Sequence, residues 1–257
     1  STGKKYQSLF GRCSDRIPPR RREPICNVPE MRKGSQPTDG GFLLLSDDEK
    51  NELLTCEEKA TPWVKPFLGG EEFINNIKRW CLWLVDCPPQ KLQELPLVLK
   101  RIQEVKKSRE KSTKQLTQKL AATPSLFGEI RQPTTNYIAL PEVSSEKRDF
   151  IPVGFLSPET IPSNKIQTIS GGSLFHFGVL CSTMHNAWMR YTCGRLESRY
   201  SYSASIVYNN YPWPGFAGDP LSDQHRQAIE QAAQCVLDAR AQFAGASLAD
   251  LYDPLTM

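Results

Sequence analysis

This 257-residue sequence is poor in the residues that build metal and nucleophilic centres. It has only three histidines, His176, His185 and His225, and its eight cysteines (13, 26, 56, 81, 87, 181, 193 and 235) include no Cys-x-x-Cys pair. A tetrahedral zinc site draws four such ligands from close spacings, so none is expected. The start, Ser1-Thr2-Gly3-Lys4-Lys5, has no apolar stretch behind it and so lacks a secretory pattern. The thiols are therefore expected to be reduced and mostly buried, in a cytoplasmic protein. No apolar run approaches the ~18 residues of a membrane helix, so no membrane partner is expected. There are no internal repeats. The sequence opens without Met and stops at Asp253-Pro254-Leu255-Thr256-Met257 in mid-pattern, and the expectation is a piece excised from a longer polypeptide.

Catalytic strings are missing too. Gly69-Gly70 and Gly171-Gly172 are bare pairs, not the Gly-rich strand–turn–helix unit that holds a nucleoside cofactor. Asp47-Asp48-Glu49 reads as an acidic helix start favoured by the dipole. Glu146-Lys147-Arg148-Asp149 mixes both signs with no second acidic position at a nuclease-like spacing. His176 and His185 sit among apolar residues and read as packed. With no nucleophile beside a base, the chain is expected to bind without reacting.

What the sequence does have is unevenly placed charge. Net charge is +4, yet residues 100–119, KRIQEVKKSREKSTKQLTQK, hold eight Lys or Arg against two Glu, and Arg16, Arg20, Arg21 and Arg22 form a second cluster. Such runs suit a polyanion, or simply solvate a helix face.

Patterning predicts an α+β fold: several short, mostly antiparallel strands with a long basic helix and a second helix, followed by the start of a helical C-terminal segment. Residues 1–42, rich in Pro, Gly, Arg and Ser, read as an irregular lead-in. Ser46 with Glu49 predicts a capped helix, and residues 71–76 a short one. Residues 78–85 read as a strand, with Trp80 and Trp83 in the core. Leu95, Leu99, Ile102 and Val105 predict a helix over about 95–122. Strands are expected at 137–140, 149–155, 165–169, 174–177 and 201–208, and the second helix at 178–196. Ser222 caps a helix to about 243. The composition shift near 218 divides the chain into 1–217 and 218–257.

Five stretches together carry a family resemblance: NVPEMRKGS (27–35), GGEEFINNIKRWCLWL (69–84), LFGEIRQPTTNYIALPEVSSEKRDFIPVGFL (126–156), SLFHFGVLCSTMHNAWMRYTCGRLESRYSYSASIVYNNYPWP (173–214) and SLADLYDPLTM (247–257). Over nearly its whole length the sequence resembles the C-terminal part of YeeA-like DNA methyltransferases and of MmeI-like, type IIL restriction-modification enzymes. The resemblance implies a DNA target recognition domain over 1–217 and the start of a tail segment after it. It also implies an upstream methyltransferase domain of the same polypeptide, which would hold S-adenosylmethionine and methylate adenine through an Asn-Pro-Pro-aromatic motif. Asn209-Asn210-Tyr211-Pro212-Trp213-Pro214 does not match that motif, so no cofactor or catalytic residue is expected in this chain. The rival from another class is a scaffold that holds the methyltransferase and partner domains together.

Specific duplex binding needs phosphate contacts for affinity and base-edge contacts for sequence. Lys78, Arg79, Arg131, Lys147, Arg148, Arg190 and Arg195 are the phosphate candidates, with the 100–119 helix as a further one. In CGRLESRYSYS (193–203), Glu197 and Arg199 lie two apart. From residue types alone they are either a surface ion pair or a reader of a C·G pair, the carboxylate accepting from cytosine and the guanidinium donating twice to guanine. The resemblance makes this a base-reading position and implies cytosine as the last specific base of the target strand. It also matches base-reading positions to Asp149, to Gly171 and Gly172 where the family often has Asn-Ala, and to Ser201 where it can have Arg.

Overall fold

The computed structural model describes residues 18–216 and 220–255. In chain order, β1 (Met31–Lys33) and β2 (Leu44–Leu45) precede α1 (Asp47–Cys56). Ser46 caps α1 reciprocally: its hydroxyl accepts from the Glu49 amide at 3.1 Å, and Glu49 accepts from the Ser46 amide at 2.9 Å. After β3 (Val64–Leu68), α2 (Gly70–Asn75), β4 (Trp80–Leu82) and α3 (Pro89–Gln93) comes α4 (Pro96–Glu110). It buries Val98, Ile102, Val105 and Arg109, which share one face. Then follow α5 (Gln115–Lys119), β5 (Tyr137–Pro141), β6 (Val143–Ser144), β7 (Gly154–Leu156), β8 (Ile161–Pro162) and β9 (Ile166–Ser170). The chain continues through α6 (Leu174–Cys181), α7 (Thr183–Thr192), β10 (Gly194–Leu196), β11 (Arg199–Ser201), α8 (Asp223–Ala241) and α9 (Leu248–Leu251).

Among the described residues the strands form three small sheets: β1-β9-β5-β7, β10-β11-β6 and β2-β4-β3-β8. Every pairing between these strands is antiparallel except β3 with β8. This is the expected α+β fold. One apolar core lies between α4 and the β2-β4-β3-β8 sheet, around Leu43, Leu82, Val98 and Val105. A second joins β5 and β9 to α6, α7 and α8, around Ile138, Leu140, Phe177, Leu180 and Tyr208. Trp80 and Trp83 pack partly buried against the first core. No helix among the described residues is long and apolar enough to cross a membrane.

Several elements depart from the sequence reading, each for a local reason. Residues 31–33 of the lead-in are a sheet strand, with Met31 buried in the second core. The basic helix ends at Glu110, and the chain folds back because the buried Arg109 guanidinium gathers carbonyls from both sides of the bend. It donates to Pro37, Thr38, Leu120, Thr123 and Leu126 at 2.7–3.1 Å. Residues 174–177 are helix, not strand, since Ser173 and His176 cap one another. The expected single helix over 178–196 is broken at Ser182. Its extended backbone ends α6, and its hydroxyl accepts from the His185 amide at 3.1 Å to start α7. Of 149–155 only the last two residues are strand, because Asn186 takes the Ile151 amide at 2.8 Å. Beyond Ser201 the chain winds into a π-turn over Ala204–Tyr208, closed by an Asn209 amide to Ala204 carbonyl bond of 2.9 Å.

Candidate nucleic-acid interface

The stretch that holds Glu197 and Arg199 is a hairpin. β10 and β11 pair Gly194 with Ser201, Arg195 with Tyr200 and Leu196 with Arg199. Glu197 and Ser198 are therefore a two-residue loop. Such loops need a positive φ at the first position, and Glu197 has φ 58°. Glycine or asparagine usually fills that place, and a glutamate there costs about 1 kcal/mol or more. Its side chain is 79% exposed and that of Arg199 47%, and Arg199 Nη2 donates to Glu197 Oε2 at 2.8 Å. An exposed pair of this kind contributes at most about 1 kcal/mol, so both tips separate readily for an outside partner.

The loop is braced from below. The Arg195 guanidinium lies 4.0 Å from the Tyr200 ring centroid, and its Nη1 donates to the Ser198 carbonyl at 3.0 Å. The Glu146 carboxylate is held below its ordinary range by its own backbone N–H and by the Ser198 side chain. Nothing in the sequence pattern marks Glu146, Ser198 and Tyr200 as these braces. Beneath β11, Tyr202 and His185 are both buried, with the Tyr202 hydroxyl 3.0 Å from His185 Nε2.

Full burial pushes the His185 pKa from 6.5 down to about 3. The folded state then keeps a neutral ring while the unfolded chain takes up a proton below pH 6.5. Stability from this group is complete above pH 6.5 and falls as pH drops towards 3, by up to about 1.4 kcal/mol per pH unit. We expect urea titrations at pH 7 and pH 5 to show the wild type losing roughly 2 kcal/mol more than His185→Gln. Equal losses would contradict the buried neutral ring.

β11 also pairs with β6, Tyr200 opposite Ser144 and Ser201 opposite Val143. This brings the segment after β6 to the hairpin. Lys147 and Asp149 are exposed there, and Arg148 is half-buried with its Nε unpartnered among the described residues. Burial lowers the Arg148 pKa, partly offset by Asp253. Arg190 donates to the Asp149 carbonyl at 3.0 Å and to the Asn186 carbonyl at 3.3 Å, tying α7 to the same place. Lys147, Arg148, Asp149, Arg190, Arg195, Glu197, Arg199 and half-buried Ser201 thus gather around one small sheet.

The other sequence-predicted residues lie apart. Lys78 and Arg79 precede β4 in a different sheet, and Arg79 pairs with Glu72 at 2.8 Å. Gly171 and Gly172 follow β9 where Ser170 pairs with Tyr137, while the Tyr202 amide bonds Glu142 just past the far end of β5. Gly171 has φ 68° and open space around it, whereas a Cβ on Gly172 would stand 2.6 Å from Ile138 Cδ1. Arg131 pairs with Glu129 and donates to the Gly34 carbonyl at 3.3 Å. In the 100–119 run, Arg101, Lys106 and Lys107 pair with Glu49, Glu110 and Glu104, and Arg109 is buried.

The residues at 209–214 do not fit a flipped adenine or a nucleoside cofactor. Asn209 Nδ2 donates to the Arg21 carbonyl, Asn210 Nδ2 to the Pro19, Ser205 and Ile206 carbonyls, and Asn210 Oδ1 accepts from Arg21 Nε. Tyr211 and Trp213 are buried. Among the described residues, no group of three or more His, Cys, Asp or Glu is placed to hold a metal ion.

Residues 14–215 match the family described as MmeI, target recognition domain. The chain belongs to that family. Residues 221–257 of this MmeI-type recognition domain chain match the MmeI C-terminal domain. DNA methyltransferase A of Bacillus subtilis (strain 168) is 40% identical over 238 residues, covering 92% of this chain and 26% of that protein. The type IIL restriction-modification enzyme MmeI, solved in complex with DNA, is 46% identical with a TM-score of 0.91, covering 95% of this chain and 32% of that one. The MmeI-type chain thus spans about a quarter to a third of the length of these relatives.

Proposed function

We propose that this MmeI-type chain reads a short sequence in double-stranded DNA on behalf of an S-adenosylmethionine-dependent, adenine-specific DNA methyltransferase of the restriction-modification kind. The cofactor and the chemistry belong to a methyltransferase domain upstream in the same polypeptide, and this chain contributes recognition from 1–217, with 218–257 starting a helical segment. The observation that carries the reading is the braced hairpin, which holds an exposed carboxylate and an exposed guanidinium side by side. Together they offer the acceptor and forked donor that one C·G pair requires in the major groove. Asp149 and Ser201 stand beside them as further base contacts, and Gly171 and Gly172 are the positions with no side chain to offer. Lys147, Arg148, Arg190 and Arg195 serve as phosphate contacts in and around the hairpin, with Lys78 further out, and Arg79 and Arg131, each already paired with a glutamate, are the weaker ones.

A gel-shift titration separates this from a scaffold. DNA binding by this chain should select sequence and weaken steeply with salt, since each released counterion adds to the slope. Binding that is absent, or indifferent to sequence, would leave the scaffold reading in its place.

A further inference from the structure

The spacing of Glu197 and Arg199 is not unique in the chain. Glu30-Met31-Arg32 and Glu129-Ile130-Arg131 repeat the Glu-x-Arg pattern, and in each the two tips pair with one another. Like the hairpin pair, Glu30 and Arg32 are exposed, with side chains 51% and 72% accessible, and Arg32 Nε donates to Glu30 Oε2 at 2.8 Å. Arg32 and Arg131 line one cleft of about 450 Å³ whose surface is about equally polar and apolar, together with Glu30, Ile130, Gln132 and Ser170. The cleft has a fixed frame. Thr168 sits opposite Arg32 in the β1–β9 register and donates to its carbonyl at 3.1 Å. Gln132 Nε2 is held by the Pro158 and Thr160 carbonyls at 2.7 and 3.0 Å. Ser170 leads directly into Gly171, whose surroundings are open.

We propose that Glu30 and Arg32 form a second base-pair reader, for a C·G pair other than the one assigned to Glu197 and Arg199. The inference rests on the DNA-reading function proposed above. A phosphate group would meet the Glu30 carboxylate as well as the guanidinium and gain little from a neutralised pair. A C·G edge presents an amino donor and two acceptors together, and it satisfies both tips at once. Arg131, anchored by the Gly34 carbonyl, adds a second guanidinium to the cleft lining. The competing role for these charges is protection: β1 is the outer strand of its sheet, and charged residues on outer strands discourage pairing with other chains.

The test is selection of randomised duplexes by the 257-residue chain, comparing wild type with the double charge exchange Glu30→Lys and Arg32→Asp. The exchange should move one position from C·G towards G·C by at least tenfold and leave the position set by Glu197 and Arg199 unchanged. The milder Arg32→Gln should relax the same position. A uniform loss of affinity with a shallower salt slope would make Arg32 a phosphate contact and overturn the proposal. Unchanged selection would leave edge protection alone and overturn it as well. A wild-type chain that selects no sequence would instead sink the DNA-reading function itself, whereas a hairpin exchange that works beside a silent Glu30–Arg32 exchange sinks only this inference.

Discussion

Glu197→Lys combined with Arg199→Asp should invert the base preference at one position, from C·G to G·C. On the proposed reading, the wild-type carboxylate accepts from cytosine and the guanidinium donates to guanine. After the exchange the ammonium faces the guanine acceptors and the new carboxylate the cytosine amine, with the pair turned around. Each matched contact discriminates by about 1–3 kcal/mol, roughly five- to 150-fold in affinity. The exchange keeps an opposite-charge pair on the loop and leaves a non-glycine residue at φ 58°, so stability should hardly move. Either single change should fit neither base pair and lower selectivity without reversing it. The measurement is the base distribution recovered from randomised duplexes. An unaltered distribution with the double exchange would remove Glu197 and Arg199 from the reading site.

The largest stability effect is expected far from that loop. Arg109 is 1% exposed and its guanidinium serves five backbone carbonyls. Arg109→Met fills similar volume but leaves those part-buried acceptors without their donor, and each orphaned buried group costs about 1–3 kcal/mol. Partial relaxation and water entry will recover some of this, so we expect a loss of about 3–5 kcal/mol, a large share of a typical domain's stability. Arg109→Lys should recover little, because one ammonium cannot reproduce the planar fork. Urea unfolding midpoints check both variants. A loss below about 1 kcal/mol for Arg109→Met would mean the bend over residues 111–126 holds itself together by other contacts.

Where a single local rule dominates, the fold could be read from residue order. Ser46 with Glu49 and Ser222 before α8 are caps written in sequence, and the apolar runs at 137–140 and 165–169 fall on β5 and β9. What escaped depends on partners distant in sequence. The end of α4 follows from an arginine that looks like surface charge and is drawn inside by carbonyls at 37–38 and 120–126. Ser182 both stops one helix and caps the next, so two short helices present as a single periodic stretch. The hairpin was hidden because its loop is Glu-Ser, with none of the Asn-Gly or Asp-Gly signal that normally marks a two-residue turn. Residue types alone leave Glu197 and Arg199 as either a surface ion pair or a reader of a C·G pair, and the family resemblance is what favours the second. Their exposure, and the bracing by Arg195, Tyr200 and Glu146, arise only in the folded chain.

The left-handed backbone at position 197 charges about the same conformational toll to nearly every side chain, glycine and asparagine excepted. The loop is solvent-exposed, while the buried Tyr200 and Tyr202 anchor the strand beneath. If the hairpin reads DNA as proposed, lineages carrying it can drift from one DNA dialect to another by exchanging two letters, while folding stays a silent bystander.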